Sequence, residues 1–185
     1  MAFQPEPDSR SLLQFFIMSG RLKAELRRGW VQKLGMEHPE SVADHSFRTA
    51  LLAMVISDLR GLDTGKAMRL ALLHDVPEAI VGDATPEERS GPRKTAAETK
   101  AMEEILSELP KEIRAIYSSA WREYVEGKSE EARLVRQLDK IEMAIQAWEY
   151  ANGLGDPSLA KEFWASARSR VSDEALLELL EQVEP

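Results

Sequence analysis

The chain has no cysteine among its 185 residues. Structural disulfides and Cys-based zinc sites are therefore excluded, and any metal must be held by histidine and carboxylates. It also has no apolar run near the roughly 20 residues needed to cross a bilayer. The first ten residues, Met1 to Arg10, carry two acids and an early arginine and lack the apolar stretch of a signal peptide. A cytoplasmic protein with no membrane partner is expected. Positive charge is scarce too. A formal net charge of -8 and a pI near 5.1 argue against a nucleic-acid duplex as partner, because such binders present a positive footprint. A small phosphorylated molecule stays open, since a metal can supply the positive charge locally. No alternating strand pattern, fixed-period repeat or low-complexity tract occurs, so the expected fold class is all-α.

The length suits one domain, residues 1–185, with a core at about 10–150 and C-terminal helices over 155–185. Helical spacing of Leu12, Leu13, Phe16, Ile17, Leu22 and Leu26 predicts a first helix over 11–26, with Asp8 and Ser9 as candidate N-caps. Arg27-Arg28-Gly29-Trp30 is expected to break it. Ser41 with Asp44 resembles a capping box and should open a helix over 42–59 that ends at Gly61. Further helices are expected over 64–74, 78–81, 95–109, 111–125 and 129–150, the last along the stripe Leu134, Leu138, Ile141, Ile145, Trp148. A polar linker is expected around 86–93, and helices restart at Asp156-Pro157-Ser158 and Ser172-Asp173.

Four ionisable residues stand where apolar ones are expected. His74 follows Leu70 and Ala71 by four and three positions and points with them toward the core, with Asp75 beside it. Burying a carboxylate costs several kcal/mol unless it is paired or coordinated, so a metal, an arginine or a helix N-terminus must answer it. Asp139 lies four residues after Val135 alongside the Leu134 stripe, where an ion pair with Arg136 or Lys140 is the ordinary alternative. His45 opens a helix whose later apolar face is expected to be Ala50, Leu51, Met54 and Val55. Together they make an N,N,O,O donor set suited to a divalent ion such as Mn²⁺, Co²⁺, Zn²⁺ or Mg²⁺.

His45, then His74-Asp75, then a distant Asp139 resemble the signature of the HD-domain phosphohydrolases. The segments Pro39 to His45, Ala71 to Asp83 and Val135 to Met143 are similar to the HD-domain-containing protein 2 family, whose members are 5′-deoxynucleotidases; the similarity runs from about residue 10 to about 150. The resemblance implies a single-domain HD-type helical bundle around one metal site, with His45, His74, Asp75 and Asp139 as ligands. It implies that Glu78 lies beside the attacking water or on a second ion, and that Asp83 holds a further acidic position with the same roles. Arg28 and Trp30 match positions that contact the nucleotide in bacterial relatives, although Gly29 is inserted between them here.

The implied activity is metal-dependent hydrolysis of (deoxy)nucleoside 5′-monophosphates. Two alternatives stand beside it: an HD phosphodiesterase or triphosphohydrolase, and a non-catalytic protein, either a metal-loaded HD relative or a helical interaction module with structural His and Asp. A homodimer is expected, since symmetric dimers are the commonest assembly.

Overall fold

The computed structural model describes residues 8–84 and 92–185. Asp8 caps α1 (Ser9–Ser19), its Oδ1 accepting the Arg10 amide at 3.1 Å. The expected single helix over 11–26 is instead broken at Gly20, a poor helix former, and a short 3₁₀ turn spans Gly20–Lys23. The expected break at Arg27–Trp30 is corrected as well: Arg28 opens α2 (Arg28–Leu34), Gly29 sits in its first turn, and Gly35 closes it with φ 64°.

Ser41 and Asp44 form a reciprocal box. The Ser41 amide and hydroxyl donate to Asp44 Oδ2 at 2.9 and 2.7 Å, and the Asp44 amide donates to the Ser41 hydroxyl at 3.2 Å. It starts α3 (Val42–Arg60); α4 (Thr64–Leu73) and α5 (Glu78–Val81) follow. Then come α6 (Pro92–Leu106), α7 (Lys111–Glu126), α8 (Glu130–Leu154), α9 (Lys161–Arg168) and α10 (Glu174–Glu181), with a 3₁₀ turn at Pro157–Ala160. Residues 86–91 of the expected linker lie outside the described residues, and Pro92 already belongs to α6. Among the described residues there is no strand; one isolated bridge joins Leu26 to Ser41. No described helix is long and apolar enough to cross a membrane.

The backbone divides into two units, Met1–Ser46 with Leu73–Val125, and Phe47–Leu72 with Glu126–Pro185. In the first, α5 packs on α6 and on the 3₁₀ turn at Gly20, and α1 packs on α6. Its interior includes Met18, Leu22, Trp30, Met102, Ile105 and Trp121.

In the second unit α8 is the central element, with α9 and α10 against it. Ser129 caps α8 by accepting the Ala132 amide. Leu134, Leu138 and Ile141 are buried as their spacing predicts, each fully buried Leu or Ile contributing about 1.5–3 kcal/mol. Trp148 departs from the expected stripe and is exposed; the seam continues through Ala144, Ala147 and Ala151. Ala144 packs with Ala167 and Leu180, small residues that allow close approach. Asp173 caps α10 and is gripped by both Arg60 nitrogens at 2.7 Å, which hold its carboxyl below the usual range against the opposing effect of burial.

Helix α3 inverts the expected amphipathic pattern. Beyond Val42 and His45 in its first turn, its buried positions are small or polar, Ser46, Thr49, Ala50, Ala53 and Ser57, while Phe47, Leu51, Val55 and Leu59 are exposed. The apolar face expected at Ala50, Leu51, Met54 and Val55 is thus divided between interior and surface.

Candidate metal centre

His45 stands at the start of α3, fixed by the box at Ser41, and is completely buried. Helix α4 ends at Leu73, one residue before the expected end, because Pro77 ahead cannot continue the ladder. The chain turns through His74-Asp75-Val76, with the Val76 amide donating to Leu73 and the Glu78 amide to Asp75.

This turn brings three donor atoms together. His74 Nε2 lies 3.3 Å from His45 Nε2. Asp75 Oδ2 lies 3.2 Å from His74 Nε2 and 3.7 Å from His45 Nε2. Two neutral imidazoles protonated at Nδ1 would aim two lone pairs and a carboxylate oxygen at one point, an arrangement that needs a cation or extra protons. The donor chemistry fits a divalent ion of borderline hardness. The edge of His74 meets the Tyr124 ring, centroids 5.5 Å apart, which restrains the imidazole plane.

Electrostatics favour the charged form of Asp75. Burial alone would raise its pKa, but His74, His45 and Arg27 outweigh that and hold it well below the usual carboxylate range. Arg27 is buried, with Nη1 3.4 Å from Asp75 and 3.8 Å from Asp83.

Glu78, the first residue of α5, is buried at 3% exposure. Gly82 ends that helix at φ 79°, a conformation that favours glycine, and a side chain there would press on the Glu25 carboxylate. Asp83 follows and is deeply tied: its Oδ2 accepts the Arg28 backbone amide at 2.7 Å, its carbonyl accepts Arg28 Nη1 at 3.1 Å, and its own amide donates to Glu25 at 3.0 Å. Arg28 is otherwise an exposed side chain. Trp30 is 2% exposed and donates its indole N–H to Glu40 at 2.9 Å, so it lies in the interior.

Asp139 belongs to the second unit. It is buried on α8, its Oδ2 2.8 Å from Lys140 Nζ, and its carboxylate is one that could serve a metal ion.

Sequence reasoning did not single out Arg27, Glu25 or Tyr124. The only local trace of Arg27 is its adjacency to Arg28; its partner Asp75 is 48 residues away.

With this geometry in place, comparison with known proteins gives the class. The family model for the HD domain matches residues 19–182, and the chain belongs to that family. Within it, the chain is 39% identical over 177 residues to human 5′-deoxynucleotidase HDDC2, spanning 95% of this chain and 86% of that protein. It is 38% identical over 185 residues to the mouse protein of the same name, spanning 100% and 92%. Among solved structures, PH0347 protein from Pyrococcus horikoshii superposes with TM-score 0.77 at 33% identity, covering 93% of this chain and 98% of that one.

Proposed function

We propose that this chain is a divalent-metal-dependent 5′-deoxynucleotidase that converts (deoxy)nucleoside 5′-monophosphates to nucleoside and phosphate. The observation that carries the reading is the trio of His45 Nε2, His74 Nε2 and Asp75 Oδ2 within 3.7 Å of one another, both imidazoles buried and the carboxylate partly so. The names of the human and mouse relatives supply the substrate class. Because the family match spans 19–182, the whole chain is taken to work as one HD domain.

In this proposal His45, His74, Asp75 and Asp139 hold the ion. A divalent cation, Mn²⁺, Co²⁺, Mg²⁺ or Zn²⁺, supplies Lewis acidity toward the phosphoryl group and toward water when bound. Glu78 takes a proton from the attacking water as its oxygen bonds to phosphorus, and returns it to the 5′-oxygen as the P–O5′ bond breaks. It is 3% exposed at the first position of α5, which fixes its place three residues after Asp75. Arg28 presents its fork to the phosphate. Asp83 holds the Arg28 backbone in place, and Trp30 braces α2 from beneath. The setting proposed for this activity is the cytoplasm, with a free nucleotide as partner.

The test is phosphate release from 2′-deoxy and ribonucleoside 5′-monophosphates, 3′-monophosphates, cyclic nucleotides and triphosphates, with metal-stripped protein resupplied with each ion. Release from the 5′-monophosphates is expected, and Glu78→Gln should lower kcat by about 10²–10⁴-fold. Turnover confined to cyclic or triphosphate substrates would replace the reading with another HD hydrolase, and silence despite bound metal would make the protein non-catalytic.

We also propose a homodimer, paired through the outward face of α3. Phe47, Leu51, Val55 and Leu59 recur at every fourth position and are 69%, 45%, 45% and 77% exposed, while the inward face is given over to small and polar residues. A stripe of that regularity over a helix of about 28 Å suits a second copy of the same helix related by a two-fold axis. Sedimentation should report a dimer for the parent protein and a folded monomer for Leu51→Asp/Val55→Asp; an unchanged dimer would remove α3 from the interface.

A further inference from the structure

Of the two imidazoles in the trio, only that of His45 is carried by a helix. His45 sits in α3, whereas α4 ends at Leu73 and α5 begins at Glu78, so His74 stands in the turn between them. Backbone bonds fix the path of that turn, from the Val76 amide to Leu73 at 3.2 Å and from the Glu78 amide to Asp75 at 2.9 Å. They do not fix the plane of the His74 ring. The χ2 torsion of histidine is broad and roughly two-fold, so the plane is set by what packs against the ring. Rotation about χ2 would swing His74 Nε2 away from His45 Nε2 and Asp75 Oδ2, which now lie 3.3 and 3.2 Å from it.

Two aromatic rings meet this imidazole edge-on. His45 lies with its centroid 5.3 Å away and its plane tilted by 61°, and Tyr124 with its centroid 5.5 Å away and its plane tilted by 62°. Both distances fall within the roughly 4.5–7 Å of favourable edge-to-face pairs. His45 is itself a donor to the site, so of these two rings only Tyr124 acts on His74 from outside the donor set. Tyr124 comes from α7 (Lys111–Glu126). Ala120 and Trp121, four and three positions before it, are both buried, so Tyr124 extends the inward face of that helix. Its ring is therefore carried on a regular element and not on the turn that it braces. His45, His74 and Tyr124 all belong to the first unit.

We propose that Tyr124 is a positioning residue for the divalent ion: its ring holds the His74 imidazole in the plane from which Nε2 reaches that ion. This role rests on the divalent-ion reading of the site. Outer groups that orient a metal-binding histidine are commonly carboxylates or carbonyls bonded to its second ring nitrogen, and losing such support costs about 10–100-fold in metal affinity. A phenol ring supplies orientation without placing a further formal charge beside Asp75 and Arg27. The role belongs to the ring, so phenylalanine should fill it and an aliphatic side chain should not.

The test is Co²⁺ binding to full-length, metal-stripped protein, followed by calorimetry and by the visible absorption of the bound ion, which reports its coordination geometry. Tyr124→Phe should bind as the parent does. Tyr124→Leu should raise the Co²⁺ dissociation constant by about 10–100-fold and alter the absorption spectrum. Tyr124→Met, whose flexible side chain fills irregular gaps, carries the same expectation should the leucine variant fail to fold. A part confined to packing would lower the Tm of the metal-free protein in the ring-free variants and leave ion affinity and spectrum as in the parent, and that result would overturn the role. So would an equal loss of affinity in Tyr124→Phe, which would move the effect from the ring to the hydroxyl. A parent protein that takes up no Co²⁺ would overturn the divalent-ion reading itself, and this role with it.

Discussion

Asp75→Ala is expected to lower kcat/KM for nucleoside 5′-monophosphates by about 10³-fold or more and to lose bound metal. Removing this carboxylate takes away the one anionic member of the trio and leaves two imidazoles 3.3 Å apart. Lewis-acid stabilisation of a phosphoryl transition state is worth several kcal/mol, and each 1.36 kcal/mol is about tenfold in rate. Asp75→Asn separates charge from shape: it keeps the side-chain outline beside Arg27 but presents a weaker ligand and leaves Arg27 less well answered. Both variants should fold, retain far less than one equivalent of metal by elemental analysis, and show a smaller loss of Tm on chelation than the parent protein. Full metal content together with full activity in either variant would exclude Asp75 from the site.

The second large effect is on stability. Arg48→Ala is expected to cost about 3–5 kcal/mol, the usual consequence of removing one partner from a buried ion pair. Glu142 is completely buried on α8 and lies 2.9 Å from Arg48 Nε, while the other guanidinium nitrogens reach Gln146 and Glu149. Burial alone would lower the Arg48 pKa, and the two glutamates more than reverse that, which shows how strongly the guanidinium is held. Without it, Glu142 keeps its buried place and loses the guanidinium that lies 2.9 Å from its carboxylate. Urea unfolding at pH 7 measures this directly. The Arg48→Met/Glu142→Met pair should recover most of the loss, since apolar replacements of similar volume often match a buried pair. Equal stability of Arg48→Ala and the parent at pH 7 would mean that other neighbours answer Glu142 fully.

What the sequence disclosed follows the range of the interaction. Caps act over two or three residues, and Asp8, Ser41 with Asp44, and Ser129 were legible for that reason. The closeness of His45, His74 and Asp75 was legible through a family resemblance; their spacing alone left an ion pair equally open. Arg27 was not legible, because nothing near it in the chain marks an arginine whose two acidic partners arrive from the far side of α4. The inverted face of α3 illustrates a different limit. Periodicity tells which residues share a side of a helix, but not which side is turned inward, and here Ser46, Thr49 and Ser57 are inside while Phe47 and Leu59 are outside. Trp30, expected at the substrate, is 2% exposed and donates to Glu40 ten residues on, a bond that no local pattern marks.

The tie between Asp83 and Arg28 bears on how natural variation in this chain should be interpreted. Asp83 accepts the amide of Arg28 from 55 positions away, and Glu25 accepts the amide of Asp83 from 58. On the role proposed for Arg28, a change at either acid would weaken the same grip on phosphate as loss of Arg28 itself. Three positions far apart in the sequence would then share one kinetic signature, a raised KM for the 5′-monophosphate.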